Sequence, residues 1–244
     1  TGALTVDADA GNSASDTAVS ATGLTAGSTV AVTADAAATT GHATSLTVGY
    51  TSTEAAATID VDVEVAGAID VTKVTDLTLD FAKAATATGA DLTIDDTVNL
   101  TITAAKALDL TGGISSASTD KLATITVTGS DAVDLDAIAN SDKLTTLTVS
   151  SAKDLTIGAI EDAKALDTVT LNSGKGVALA SLAETTAADD LTAVTIDAAD
   201  GDVVFTTATA GDTMINAKEL GTVTINANAG DITATDGITE TELV

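Results

Sequence analysis

Two clusters of aspartate in this chain have the spacing that calcium ligands need. Asp197, Asp200 and Asp202 share one short acidic turn, and a second group, Asp7, Asp9 and Asp16, surrounds a glycine. Calcium takes about six to eight oxygen ligands from carboxylates and carbonyls along a tight loop. The six aspartates are therefore the predicted metal ligands, with Ca²⁺ as the predicted cofactor. The alternative is that they are solvated turn residues, since aspartate is a frequent turn former.

The residue types that most catalytic sites require are almost missing. The sequence has no Cys and one His (His42), and its nine basic residues are all lysine. A thiol nucleophile or a cysteine-bound metal is therefore excluded, and a Ser-His-Asp triad would have to use the one histidine. Paired carboxylates can cleave glycosides, but the aromatic residues on which sugars stack make up 1% of the chain. We predict that the protein is not an enzyme.

Charge limits the partners. Nine basic residues against 36 acidic ones give a net charge of −27. This charge repels the phosphate backbone of nucleic acids, and identical chains need counter-ions to pack closely. No apolar run approaches the roughly 20 residues that span a bilayer. The sequence thus predicts divalent cations as partners, no nucleic acid and no membrane span.

The elements that would position these acids are revealed by a repeated hexad, Leu-x-x-[Leu/Ile/Val]-x-[Val/Leu/Ile]. Clear copies begin at intervals of 22 to 29 residues, and two weaker copies precede them. The middle apolar positions of the seven copies are Leu77, Leu100, Ile125, Leu147, Val169, Val194 and Val223. Alternating apolar and polar residues within each copy predict a half-buried β-strand.

A second apolar pair follows each hexad and predicts a second strand in each repeat. These pairs are Leu92–Ile94, Leu108–Leu110, Val133–Leu135, Leu155–Ile157, Val177–Leu179, Val203–Phe205 and Ile232–Ala234. The segments 159–166 and 182–191 are predicted to add one turn of α-helix or 3₁₀-helix before the next hexad. One such repeat cannot bury its apolar stripe alone, but a stack of repeats can.

The predicted fold is therefore all-β: a right-handed parallel β-solenoid with coils of about 22–29 residues. A β-sandwich is the alternative, since its short strands also recur every 8–12 residues or so, although it does not explain the repeated hexad. Residues 67–244 form the predicted solenoid. Residues 1–66 contain no lysine and no clear hexad, and they predict a divergent β region. A small sandwich is possible there, but a cap or divergent first coils are favoured.

The repeats resemble a known class of protein. The unit KLTTLTVSSAKDLTIGAIEDAKAL at residues 143–166 resembles bacterial surface leucine-rich repeats. The composition, rich in Ala, Thr and Asp and without Arg, Cys or Pro, resembles that of bacterial S-layer proteins of the β-solenoid type, including those associated with repeats-in-toxin proteins. The resemblance implies an extracellular, cell-surface protein in a calcium-supported coat. The glycine-rich calcium nonapeptide of repeats-in-toxin proteins is missing, since Gly112 and Gly113 are followed by Ile-Ser-Ser.

These observations predict a structural subunit of a self-assembling surface layer whose main partner is itself, in a lattice or filament. The alternative is an adhesin or binding module of the same fold that meets a host, ice or polysaccharide surface. Repeated Thr-x-Thr pairs, such as Thr124–Thr126 and Thr146–Thr148, suggest a flat binding face. They are also compatible with a simple outer pleat, because β-branched residues suit an exposed strand surface.

Overall fold

The structure is a computed structural model that describes residues 3–7, 17–33, 42–86, 92–116, 121–139, 141–182, 188–206, 215–234 and 238–240. Regular structure in these residues consists of strands, with no helix. The strands are β1 (Ala3–Asp7), β2 (Thr17–Leu24), β3 (Thr29–Thr33), β4 (His42–Val61), β5 (Glu64–Val65), β6 (Ile69–Phe81), β7 (Ala85–Thr86), β8 (Leu92–Asp95), β9 (Asn99–Ala104), β10 (Leu108–Asp109), β11 (Ile114–Ser116), β12 (Thr124–Gly129), β13 (Val133–Leu135), β14 (Thr146–Ser151), β15 (Leu155–Ile160), β16 (Thr168–Ser173), β17 (Val177–Leu182), β18 (Ala188–Ala198), β19 (Val203–Phe205), β20 (Ile215–Ala227), β21 (Ile232–Ala234) and β22 (Ile238–Glu240).

The strands stack into a parallel β-solenoid of about seven turns, with about 23 residues in each coil. Neighbouring strands of a ladder come from successive coils, as when β14 pairs in parallel with β12 before it and β16 after it. This confirms the prediction of an all-β parallel solenoid. It also excludes the β-sandwich, because the strand pairings of the described residues are parallel.

The seven hexads lie in one ladder, here called ladder A. Their middle residues pair in register from coil to coil, as in Leu100↔Ile125 and Ile125↔Leu147. Strands of the first 66 residues extend the same ladder, since Val30 pairs with Ile59 and Ile59 with Leu79. The predicted domain boundary at residue 66 stays a prediction.

Besides ladder A, the coils contribute strands or single bridges to two further ladders, B and C. The prediction of two strands per repeat was therefore incomplete. Ladder B contains the second apolar pairs from Leu108 onward, paired through Val133, Leu155, Val177, Val203 and Ile232. Ladder C is a column of single large apolar residues: Val19, Leu46, Ile69, Leu92, Ile114, Ile138, Ile160, Leu182, Ile215 and Ile238.

Two sequence-based assignments were wrong in this region. Leu92–Ile94 belongs to ladder C, because Leu92 pairs with Ile69 and Ile114, and Ala85 takes the corresponding place in ladder B. No helical turn forms in segment 159–166: Ala159 and Ile160 complete β15, and a bend and a turn follow. In segment 182–191, residues 183–187 lie outside the described residues, and the remainder is strand.

The core is a continuous column of inward side chains along the stack. In β14 the burial alternates strictly, and both Leu147 and Val149 have 0% of their surface exposed. The leucines that open the hexads belong to the same core: Leu122, Leu144, Leu166 and Leu191 are buried, and Leu220 is partly buried against it. Outward positions between them hold threonine, aspartate and other polar residues, which leaves the chemistry to the outer surface and the corners.

Candidate functional site

The acidic segment predicted to bind metal lies at the corner where ladder A passes to ladder B. Asp197 is in the last part of β18, and Asp200 and Asp202 lie in the turn between β18 and β19. Asp200 at its tip is exposed and forms an ion pair with Lys175 of the preceding coil. The lysine lowers the pKa of Asp200 through its hydrogen bond and its charge, and Asp200 in turn raises the pKa of Lys175. Asp200, one of the three predicted ligands in this segment, thus already has a cationic partner.

The other two acids of this segment bond instead to the following coil. Asp202 Oδ1 accepts the backbone N–H of Asp231 at 2.8 Å, and Asp197 Oδ1 accepts the Nδ2 group of Asn228 at 3.1 Å. Two coils earlier, Asp154 Oδ1 accepts the backbone N–H of Gly176 at 3.3 Å. Carboxylates at this corner therefore join successive coils, since a bond from one coil to the next holds the stack together.

A shallow groove follows the same corner. Its charged lining consists of Asp154, Lys175, Asp200 and Asp202, and its floor includes Leu155 and Val177 of ladder B. Three acids and one lysine give it a negative charge, which would attract a cation. In the described residues, however, no three side chains of His, Cys, Asp or Glu come together in an arrangement that could hold a metal ion.

Of the three predicted amino-terminal ligands, only one lies within the described residues. Asp7 is the last residue of β1, and Asp9 and Asp16 lie outside the described residues. Calcium binding by Asp7, Asp9 and Asp16, or by Asp197, Asp200 and Asp202, stays a prediction.

Ion pairs between lysine and aspartate also join coils, and the sequence analysis did not predict them. Lys153 pairs with Asp131 at 2.8 Å, Lys121 pairs with Asp96, and Asp189 lies between Lys218 and Lys164. The lysine is the main cause that lowers the pKa of Asp96, Asp131 and Asp189. A signal was available in the sequence: most of these partners are separated by one coil length, as between Asp131 and Lys153.

Carboxylates also stack without a cation. Asp109 and Asp134 occupy paired outward positions of ladder B in adjacent coils. Burial is the main cause that raises the pKa of Asp134, and the charges of Asp109 and Asp136 add to it. Asp109 Oδ1 is buried and has no hydrogen-bond partner among the described residues. Burial and the charge of Asp95 likewise raise the pKa of Asp70 in ladder C.

The outer surface of ladder A has a different chemistry. Over four successive strands, β9, β12, β14 and β16, its outward positions carry no charge, and we call these positions the threonine surface. They are Asn99, Thr101, Thr103, Thr124, Thr126, Thr128, Thr146, Thr148, Ser150, Thr168, Thr170 and Asn172. The Thr-x-Thr pairs of the sequence are thus brought into register on one sheet surface.

Comparisons with protein-family models, with curated proteins and with solved structures find no match to this chain. Among the described residues, there is no helix with the length and apolar character that crossing a membrane requires.

Proposed function

We propose that this chain is an extracellular structural protein, a subunit or segment of a self-assembling surface layer, and that divalent cations support its assembly. The observation that carries the proposal is that acidic side chains form hydrogen bonds and ion pairs between successive coils. Side chains at the corners join each coil to the next, as Asp202 does with Asp231 and Asp200 with Lys175. The molecule is a repetitive solenoid of about seven turns, and its proposed role is to supply a regular structural unit and not to transform a substrate.

Charge supports a cation-dependent assembly. The net charge is −27, and the lysines begin at Lys73, so the first 72 residues contain no lysine or arginine. At physiological salt the screening length is about 8 Å, which leaves strong repulsion between copies in contact. Calcium can bridge carboxylates of two copies, whereas a monovalent salt only screens them. The resemblance to S-layer β-solenoids favours calcium among the divalent cations.

The test is assembly of the purified chain with millimolar calcium, with chelator, and with monovalent salt at matched ionic strength. We expect ordered particles by negative-stain microscopy, faster sedimentation and a higher melting temperature with calcium, all reversed by chelator. Unchanged particle size and melting temperature between calcium and chelator would reject the proposal.

Two variants localise the effect. Asp197→Asn combined with Asp202→Asn removes two acids of the predicted turn, and Asp142→Asn removes one exposed acid from a turn elsewhere. We expect the first variant to lose much of the calcium-induced shift in melting temperature and the second to retain it. Equal retention in both would show that any calcium binds outside this turn.

The threonine surface favours a second candidate, a binding module of the same fold, as in a cell-surface adhesin or a protein that binds surface polysaccharide. Its regular, uncharged outward side chains differ from the rest of this acidic molecule. A monomer in calcium that binds an external surface would favour this candidate.

A further inference from the structure

One column of the threonine surface continues in both directions and runs through eight successive strands of ladder A. The outward residues at the centre of ladder A pair in register and are all threonine: Thr58, Thr78, Thr101, Thr126, Thr148, Thr170, Thr195 and Thr224. At about 4.8 Å between strands, this threonine column is about 34 Å long.

The other two ladders provide an internal control. If β-propensity alone selected threonine for outward positions, ladders B and C would carry it as regularly. They do not. The corresponding column of ladder B reads Thr86, Asp109, Asp134, Thr156, Ala178, Val204 and Thr233, and that of ladder C includes Thr47, Asp70, Thr93 and Ser115. The uniformity is specific to ladder A, and the simple outer pleat does not explain it.

The absence of charge around the column is the second observation. All twelve positions of the threonine surface are uncharged in a chain with 36 acids, and nine of them are threonine. Along the stack, charged residues return in the outward positions of the next strands, at Asp76 and Asp80 on one side and Asp197 on the other. A strongly hydrated carboxylate would disturb an uncharged partner at this surface, whereas a hydroxyl with a methyl group would not.

The column also keeps its hydroxyls available. In the neighbouring outward column, which contains Asn99 and Thr124, Thr124 Oγ1 donates to Asn99 Oδ1 at 2.6 Å. Within the described part of the chain, no hydrogen bond engages a hydroxyl of the threonine column itself. These hydroxyls repeat every 4.8 Å or so along the stack, and neighbouring columns lie about 6.7 Å apart, which is two residues along a strand.

A uniform column of one residue type suits a partner that is itself periodic. The two repeats of the threonine surface are close to those of oxygen atoms on a prism face of ice. A polysaccharide is a poorer partner because the surface has no aromatic side chain. A second copy is also poorer, since threonine contributes little to protein–protein hot spots and the copies repel each other. We propose that the threonine surface binds crystalline ice, a function that does not depend on the proposed surface layer.

The test measures incorporation of labelled protein into a slowly growing ice hemisphere, together with the gap between melting and freezing temperatures of a single crystal. We expect the wild-type protein to enter the ice and to open a measurable gap. Thr148→Lys places a long cation in the middle of the surface and should abolish both. Thr156→Lys is the matched control, because Thr156 is an outward, half-buried threonine of the same coil in ladder B.

Thr126→Lys, at an exposed position of the same column, provides a second variant should Thr148→Lys fold poorly by circular dichroism. Exclusion of the wild-type protein from ice would overturn the proposal, as would equal loss in the ladder A and ladder B variants. Sedimentation of the same proteins tests whether a second copy of the chain, and not ice, binds the threonine surface. If Thr126→Lys blocks self-association while the wild-type protein is excluded from ice, the surface is a contact between copies, and the proposed surface layer would stand without ice binding.

Discussion

The coil of β14 and β15 and the last described coil, β20 and β21, have the same alternating sequence but differ in burial. Leu147 in β14 has none of its surface exposed, whereas Val223 at the same position of β20 is only partly buried, and Ile232 in β21 is 54% exposed. The reason is pairing. β14 has β12 on one side and β16 on the other, whereas β20 pairs fully with β18 and, in the described residues, only through 215–217 with β22.

The difference shows that alternation sets the direction of a side chain and the neighbouring coils set its burial. Each coil contacts only the coils before and after it, so stability accumulates through nearest-neighbour interfaces. The same substitution should therefore cost more in the central coil than in the last one.

The largest effect is expected for an acid in the core. Leu147→Asp puts an uncompensated carboxylate between two coils and should cost on the order of 3 to 5 kcal/mol of unfolding free energy. Val223→Asp should cost about 1 kcal/mol, because its carboxylate can reach water. Urea denaturation followed by circular dichroism measures both.

Thr148→Asp is the control for the central coil, since it introduces the same group one residue away on the outer surface. We expect its free energy of unfolding to stay within about 0.5 kcal/mol of wild type. Equal melts for Leu147→Asp and Thr148→Asp would contradict the inward and outward assignment.

How far the sequence predicts this fold follows from the same comparison. The hexads were recognisable because two or three large apolar residues alternate with polar ones, as around Leu147, and period-2 alternation is the direct signature of a half-buried strand. Ladder C was missed because several coils contribute only one large apolar residue to it. Ile138, for example, pairs with Ile114 and Ile160 through isolated bridges. Ala85 was missed in ladder B because a small residue gives no hydrophobic signal.

The site was less predictable than the fold. Asp197, Asp200 and Asp202 are close in sequence, which suggested a common ligand, but Asp200 bonds to an earlier coil and the other two bond to the following one. A contact between coils depends on coil length, which varies from repeat to repeat, so spacing within one turn does not reveal it.

Two glycines sharpen the comparison through steric contact. A Cβ on Gly174 would lie 2.2 Å from the carbonyl oxygen of Ala152, and one on Gly221 would lie 2.2 Å from that of Thr192. Gly174→Ala should cost about 2 to 3 kcal/mol, because the central coils cannot separate. Gly221→Ala should cost about 1 kcal/mol, since the last coil can shift away from its single full neighbour. Thermal melts of the two variants test this, and equal losses would show that the last coil is held as firmly as the central ones.

The stacked acids predict a stabilising change. The folded pKa of Asp134 lies above its ordinary value of 3.8 because of burial and then the charges of Asp109 and Asp136. Between 3.8 and the folded pKa, the folded state binds more protons than the unfolded state, so this group lowers stability as pH rises through that window. Asp134→Asn should therefore raise the melting temperature at neutral pH, and the gain should vanish below the ordinary pKa.

The last coil supplies the control for this pH effect. Its residue in the same column, Thr233, is exposed. Thr233→Asp should leave the pH dependence of melting close to that of wild type, because water solvates the new carboxylate. A gain for Asp134→Asn that persists at low pH would assign the effect to something other than charge.

The smallest effect is expected at the exposed ion pairs. Lys175→Gln removes the cation beside Asp200 in a central coil, and Lys218→Gln removes a cation beside Asp189 in the last one. Both pairs are largely solvated, so each loss in melting temperature should be slight and should shrink further in high salt. The lowered pKa of Asp200 sets the direction of the pH dependence. The contribution of its ion pair to stability is present above the ordinary value of 3.8 and is lost as pH falls through the folded pKa. Melts of both variants at neutral and acid pH, in low and high salt, measure these shifts. If Lys175→Gln destabilises the protein as much as Gly174→Ala does, the corner contacts, and not the packed core, hold the coils together.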